Sequence, residues 1–337
     1  MTDPSRSDPP PALGGRPAVA SGVPAAGFWA TLPLEVVTAT GGDAARFVDN
    51  FTTAAVSSLE PGQGGETFFT DAKGWVIALA TVLRTPDGLV LVTAAGQGQH
   101  LRDHLEHYHI REAVEIDHRP GATATLLVSG AAAAEAVASL TGGPPPADAF
   151  GHQSASINAT AVRVVRVEGQ GCDGFWIQLP AEAAAAVEAG FVATGLLRAD
   201  EARLEAGRIL ARFPTPTDVP PKTLPQELGR DSRAISFTKG CYLGQETVAR
   251  LDALGHVNRR LVTLAIAADA PLTLPATVRA GDQQAGMLTS ACPAAEGGST
   301  IGLGLIHTRW LDADTLEVDG RRARVVSSAD HAPGEQR

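Results

Sequence analysis

Six side chains able to do chemistry crowd into the stretch SFTKGCYLGQETVAR at residues 236–250: Lys239, Cys241, Tyr242, Gln245, Glu246 and Arg250. A solitary cysteine is most often a small buried hydrophobe. Here the neighbours argue otherwise. Positive charge from Lys239, two residues away, favours the thiolate, and the flanking Gly240 permits close approach by another molecule. A helix starting near Gln245 would add its N-terminal amides to that stabilisation. Cys172 and Cys292 have no such company and read as structural. A nucleophilic cysteine normally works with a base. The nearest downstream histidine is His256, and with no evident orienting Asn or Asp a Cys–His hydrolase is weakly supported. Glu205, in RLEAG, lies on an otherwise apolar helix and could accept paired hydrogen bonds from an amino-heterocycle. A plain salt bridge to Arg203 or Arg208 accounts for it equally well. The histidines of HLEHYH (104–109) read as a solvated helix face rather than a metal cluster.

Composition narrows the class of protein that these residues serve. The chain has 337 residues, with 44% hydrophobic and 19% charged, which suits a globular protein of two or three domains. Its net charge of −10 and the lack of a basic run argue against nucleic acid as the main partner. The cysteines, three and far apart, cannot build a thiolate metal cage or a disulfide framework, which points to a reducing compartment. Residues 1–27, rich in Pro, Gly, Ala and Ser, read as a disordered tail without a signal-peptide core. No apolar run is long enough to span a bilayer, so a cytoplasmic, membrane-free protein is expected. Neither GGD (41–43) nor DAKG (71–74) has the context of a phosphate loop.

The positioning elements follow from periodicity. LEVVTAT is a strand, and Asp43 is placed to cap a helix burying Phe47 and Phe51. ETFFT and WVIALATVL flank DAKG as a hairpin, GLVLVTA adds a strand, GQHLRDHLEHYH a helix and AVEID a closing strand. The pattern then repeats: ATLLVS, a helix over GAAAAEAVASL, the strands AVRVVRV and FWIQL, a helix over AEAAAAVEA, and FVATGL as a last strand. Two successive units of this kind predict an α+β body of two ferredoxin-like units over residues 28–250. A helix over RADEARLEAGRILARF leads into a Pro-rich connection, PTPTDVPPKTLPQELG (214–229), of the length that marks a functional loop or a domain crossing. From about 256 to 328, short strands between Gly, Pro and Asp turns predict a small C-terminal β-barrel.

FTKGCYLGQETVAR resembles the K-G-C-Y-x-G-Q-E signature of YgfZ-type folate-binding proteins, relatives of the glycine-cleavage aminomethyltransferase. GGDAARFVDNF, TDAKGWVIA, RLEAGRI and GMLTSA…IGLGLI are similar to further blocks of that family. The resemblance implies three modules around a channel for tetrahydrofolate or a derivative. It also implies an accessory role in maturing or repairing iron–sulfur proteins, with a downstream effect on tRNA thio-modification. Under it Cys241, supported by Lys239, is the active residue, and Glu205, Tyr242, Gln245, Glu246 and Arg250 contact the cofactor. Thr53-Ala54-Ala55 stands where many members carry an aspartate, and Trp29 is placed to supply a pocket ring lacking near Leu34 and Ala199. An acid–base carboxylate beside folate is needed for aminomethyl transfer. The loss at Ala55 therefore ranks a folate-dependent one-carbon transferase or demethylase second.

Overall fold

The computed structural model describes residues 27–267, 271–294 and 298–326. The expected N-terminal tail lies, apart from Gly27, outside the described residues. In chain order the elements are β1 (Phe28–Leu32), β2 (Leu34–Thr40), α1 (Ala44–Asp49), β3 (Gly64–Thr70), β4 (Val76–Thr85), β5 (Gly88–Ala94), α2 (Gly98–Tyr108) and β6 (Glu115–His118). Next come β7 (Thr123–Ser129), α3 (Ala133–Thr141), β8 (His152–Ile157), β9 (Thr160–Val167), β10 (Gly174–Pro180), α4 (Ala184–Ala193), β11 (Leu197–Arg198), α5 (Glu201–Leu210), α6 (Asp231–Ala234) and α7 (Gln245–Leu254). The C-terminal strands are β12 (Arg259–Ile266), β13 (Ala276–Ala280), β14 (Gln283–Pro293), β15 (Thr300–His307), β16 (Leu316–Val318) and β17 (Arg321–Val325).

The first sheet runs β3-β4-β5-β2-β6 and the second β11-β1-β7-β10-β9-β8, while β12 to β17 close a barrel. The first sheet is ferredoxin-like with one added edge strand, β3, and the second with two, β8 and β11; the fold is the α+β arrangement the periodicity predicts. Alternation along the strands explains how they stack. Val82, Leu89 and Leu91 face α1 and α2 with Phe47, Phe51, Leu101 and Leu105. Their neighbours Leu83, Val90 and Val92 face the second sheet, meeting Leu127, Val165 and Trp176. Leu126, Val128, Val164, Phe175 and Ile177 turn outward to α3 and α4. Two sheets therefore lie face to face between two helical layers. With both faces covered, strands such as GLVLVTA are apolar throughout.

Several local expectations need correction. FVATGL does not form the last strand of the second unit: Phe191–Ala193 finish α4. The place next to β7 is taken by β1, whose register runs Phe28↔Ser129 to Leu32↔Thr125. Trp29 accordingly lies 3% exposed among Leu126, Phe191 and Leu196, in the core of the second unit and not in a ligand pocket. Asp43 does not cap α1 with its side chain; its carboxylate accepts from Ala113 N at 2.9 Å and from Arg46 at 2.8 Å.

The Pro-rich connection crosses between the modules and is anchored by charge. Arg259, first residue of the barrel, grips Glu227 through two bonds of 2.8 Å. Arg230 grips Glu66 of β3 through bonds of 2.8 and 2.6 Å, and Gln170 also donates to Glu66. Asp231, next in the chain, has Oδ1 buried without a partner, and burial pushes its carboxyl up to about 6. A carboxyl raised in the folded state binds its proton more tightly there than in the unfolded chain. Stability is therefore gained as pH falls from about 6 toward the ordinary value near 4. Asp231→Asn is expected to raise Tm at pH 7.5 and to leave it nearly unchanged at pH 4, as read by parallel thermal melts.

Candidate functional site

Helix α1 ends at Asp49, and the carbonyls of its last turn and of the following loop need donors. Lys239 supplies them. Its Nζ donates to Asp49 O and Thr52 O at 2.7 Å and to Ala54 O at 2.9 Å, and lies 3.2 Å from Asp49 Oδ1. The side chain is 2% exposed. Burial pulls its pKa below the usual lysine value, opposed by the Asp49 carboxylate. The ammonium also stands 5.2 Å over the Tyr242 ring, and burial pushes that phenol up to about 12. Two backbone bonds and one side-chain bond complete the seam: Ser236 N to Thr53 O at 2.8 Å, Leu243 N to Asn50 O at 2.8 Å, and the Thr70 hydroxyl to Leu243 O at 2.6 Å.

The motif also interlocks with the β3–β4 turn. Gly244 has φ +84°, and a Cβ there would sit 2.4 Å from Asp71 O and 2.7 Å from Gly74 Cα. Gly74 has φ +79°, and its Cβ would lie 2.9 Å from Thr247 Cβ. Both positions need glycine for backbone conformation and for space. The outcome is a firmly held loop that leaves Cys241 exposed. Gln245 is half-buried in the first turn of α7, and Glu246 and Arg250 are exposed on that helix. Every contact of the Lys239 ammonium described here runs to the 49–54 loop or to Tyr242. Its charge serves that seam.

Glu205 is brought to a different place. It pairs through both oxygens with Arg208, whose Nη1 donates to Asp218 at 2.7 Å and to Phe213 O at 2.8 Å. Asp218, fully buried, further accepts from Thr215 N and Oγ1 at 2.9 Å, from Ser290 at 2.7 Å and from Thr289. This network fixes the Pro214–Val219 loop, which forms one wall of a pocket; the other wall is Val76–Leu79 of β4, with Thr93, Ala94 and Gln97. Thr93 is committed to Leu79 O and Thr215 to Asp218, so Gln97 is the lining side chain whose amide is free of protein partners among the described residues. No carboxylate lines this pocket. The sequence flagged the Pro-rich segment as a functional loop or a domain crossing but gave no sign of Gln97 or of Asp218 beneath the wall. His104 is another departure. It is half-buried, edge-on to Phe51 and Tyr108, with Nε2 buried and unpartnered, and burial pushes its pKa down to about 4. The solvated-face reading therefore does not hold for His104. Among the described residues no three His, Cys, Asp or Glu side chains gather to hold a metal ion, and no helix is long and apolar enough to cross a membrane.

Residues 24–228 match the profile described as the GCVT N-terminal domain, and residues 259–329 match the glycine cleavage T-protein C-terminal barrel domain. The chain belongs to the GCVT family. A chloroplastic protein of Arabidopsis thaliana, named only provisionally as a transferase, is 27% identical over 79% of this chain and 62% of its own length. The mitochondrial aminomethyltransferase of Solanum tuberosum is 29% identical over 66% of this chain and 57% of its own length. The chain thus spans about three-fifths of these relatives. A tRNA-modifying protein YgfZ of Colwellia psychrerythraea is 57% identical over 42 residues, 12% of this chain and 13% of its own length. Among solved structures, the aminomethyltransferase T of the Bartonella henselae glycine cleavage system superposes with a TM-score of 0.77 at 19% identity, covering 91% of this chain and 87% of that one, and this establishes a shared fold.

Proposed function

We propose that this chain is a tetrahydrofolate-dependent one-carbon transferase of the aminomethyltransferase class, with the folate ring held between Val76–Leu79 and the Pro214–Val219 loop. The observation that carries the reading is the match to both family domains, in order, over residues 24–228 and 259–329. The pocket chemistry fits. Two apolar walls suit a flat heterocycle, and the Gln97 amide can pair with a polar ring edge. When bound, tetrahydrofolate would accept the one-carbon unit; this chain's own part is to exclude water, orient the ring and hold the loop wall through Glu205, Arg208 and Asp218. The test is conversion of tetrahydrofolate to its methylene form by an aminomethyl donor, with release of ammonia. Steady turnover supports the reading, and absent turnover with intact folate binding overturns the transferase half of it. Binding itself is read by thermal shift, where ligand at one hundred times its Kd adds about 2.7 kcal/mol. Gln97→Leu is expected to weaken tetrahydrofolate binding about fivefold to tenfold by calorimetry, the usual effect of removing one hydrogen bond.

A second reading, an accessory factor for iron–sulfur proteins in the manner of YgfZ, is favoured by the exposed Cys241 on its tied loop and by the short match at 57% identity. In that role Cys241 would handle a thiol or persulfide of an iron–sulfur client. Cys241→Ser is then expected to abolish rescue of iron–sulfur enzyme activity in a strain lacking its own factor. Full rescue would rule this reading out.

A further inference from the structure

We infer, on the basis of the folate reading above, that Glu35 of β2 is a positioning residue for the pocket: it caps helix α2 in place of Gln97 and so leaves the Gln97 amide to the ligand. Gln97 stands where α2 begins, the place at which a side chain ordinarily satisfies the orphan amides of the first turn. It makes no such bond. The Glu35 carboxylate makes it instead, accepting from Gly98 N at 2.7 Å and from Gly96 N at 3.0 Å, one oxygen on each side of Gln97. The Gln97 backbone is tied as well, its N–H to Ala94 O at 3.1 Å and its carbonyl to Leu101 N at 2.9 Å. With residue 97 and both its neighbours held, only the torsions of the Gln97 side chain remain to be ordered when a ligand binds.

The place of Glu35 in its strand is unusual. It shares a face of β2 with Val37 and Ala39, both fully buried under the helices, so alternation calls for an apolar side chain there. A carboxylate on such a face costs free energy unless it is hydrogen-bonded. Here two amides and the positive end of the α2 dipole meet it. Gly98 makes the approach possible: a Cβ there would lie 2.3 Å from His118 Nε2 and 2.6 Å from Glu35 Oε2. His118, with its side chain 2% exposed, backs the carboxylate from β6, its Nε2 3.4 Å from Oε2. Glu35 itself is not among the residues lining the pocket; it pairs across the sheet with Thr93, which is. Its influence on a ligand therefore runs through the 96–98 turn and Gln97.

The experiment is calorimetry with tetrahydrofolate on the full chain, run as a double-variant cycle with Gln97. Glu35→Ala is expected to weaken binding about threefold to tenfold, the cost of ordering one freed side chain. In the Gln97→Leu background the same change is expected to have no further effect, because the group it positions is gone. Glu35→Gln keeps the size of the side chain and one acceptor oxygen, and is expected to weaken binding about twofold to threefold. It carries the same cycle should the alanine variant melt below the assay temperature. An affinity unchanged by either substitution overturns the inference. So does a loss of equal size with and without Gln97, which a merely structural role would produce; both results leave the folate reading standing. A wild type that binds no tetrahydrofolate overturns that reading and this inference with it.

Discussion

Arg230→Met is expected to lower the free energy of unfolding by about 3–5 kcal/mol, because it strands a carboxylate inside the protein. Glu66 is 1% exposed, and Arg230 supplies two of its hydrogen bonds and its counter-charge at 2.8 and 2.6 Å. Gln170 alone would remain, a neutral amide donor facing a full negative charge. The guanidinium also packs 4.9 Å from the Phe213 ring and donates to Gly169 O, so its loss loosens the crossing between β3 and the Pro-rich connection. Chemical denaturation measures the loss. Pairing the change with Glu66→Gln is expected to restore at least half of it, since the uncompensated charge is then gone. A double variant as unstable as the single one would show that shape, and not charge, sets the cost.

The second large effect belongs to Lys239. Lys239→Met removes the donor shared by three carbonyls of the 49–54 loop and is expected to cost about 3 kcal/mol, since bonds to a charged donor are stronger than neutral ones. Amide exchange over 236–243 should accelerate at least tenfold, a change of about 1.4 kcal/mol in local opening. The sequence reading gives Lys239 a different task, lowering the pKa of Cys241. The two roles separate cleanly. A variant that melts like the wild type while its Cys241 alkylates more slowly would favour activation. A variant that melts early and opens the loop would favour the tie.

The order of helices and strands was readable because each has a covered face, and a covered face writes a period of two or 3.6 into the residues. The motif around Cys241 was readable because its residue types are uncommon in so short a span. What was hidden depends on pairing across distance. Nothing local in FWATL says that it joins β7, some ninety residues on, in place of FVATGL. The two alternatives are both short apolar runs; in the fold Phe28–Leu32 pairs with β7, and Leu197–Arg198 adds on outside it. The partners of Lys239 were hidden for the same reason. Two residues of sequence separate it from Cys241, yet its partners lie nearly two hundred residues away, where α1 leaves carbonyls unpaired. Gln97 and Asp218 carry no signature at all; their meaning comes from the walls they border or support.

The placement of β1 in the second sheet bears on how the chain is made. During synthesis β1 has no β7 partner until Thr123–Ser129 emerges, about ninety residues later. At about 5–20 residues per second that is a wait of roughly 5–20 s with an unpaired hydrophobic edge. A nascent fragment ending between the two sheets would therefore carry β1 as a loose, adhesive strand, and that edge seals only when Thr123–Ser129 closes over it.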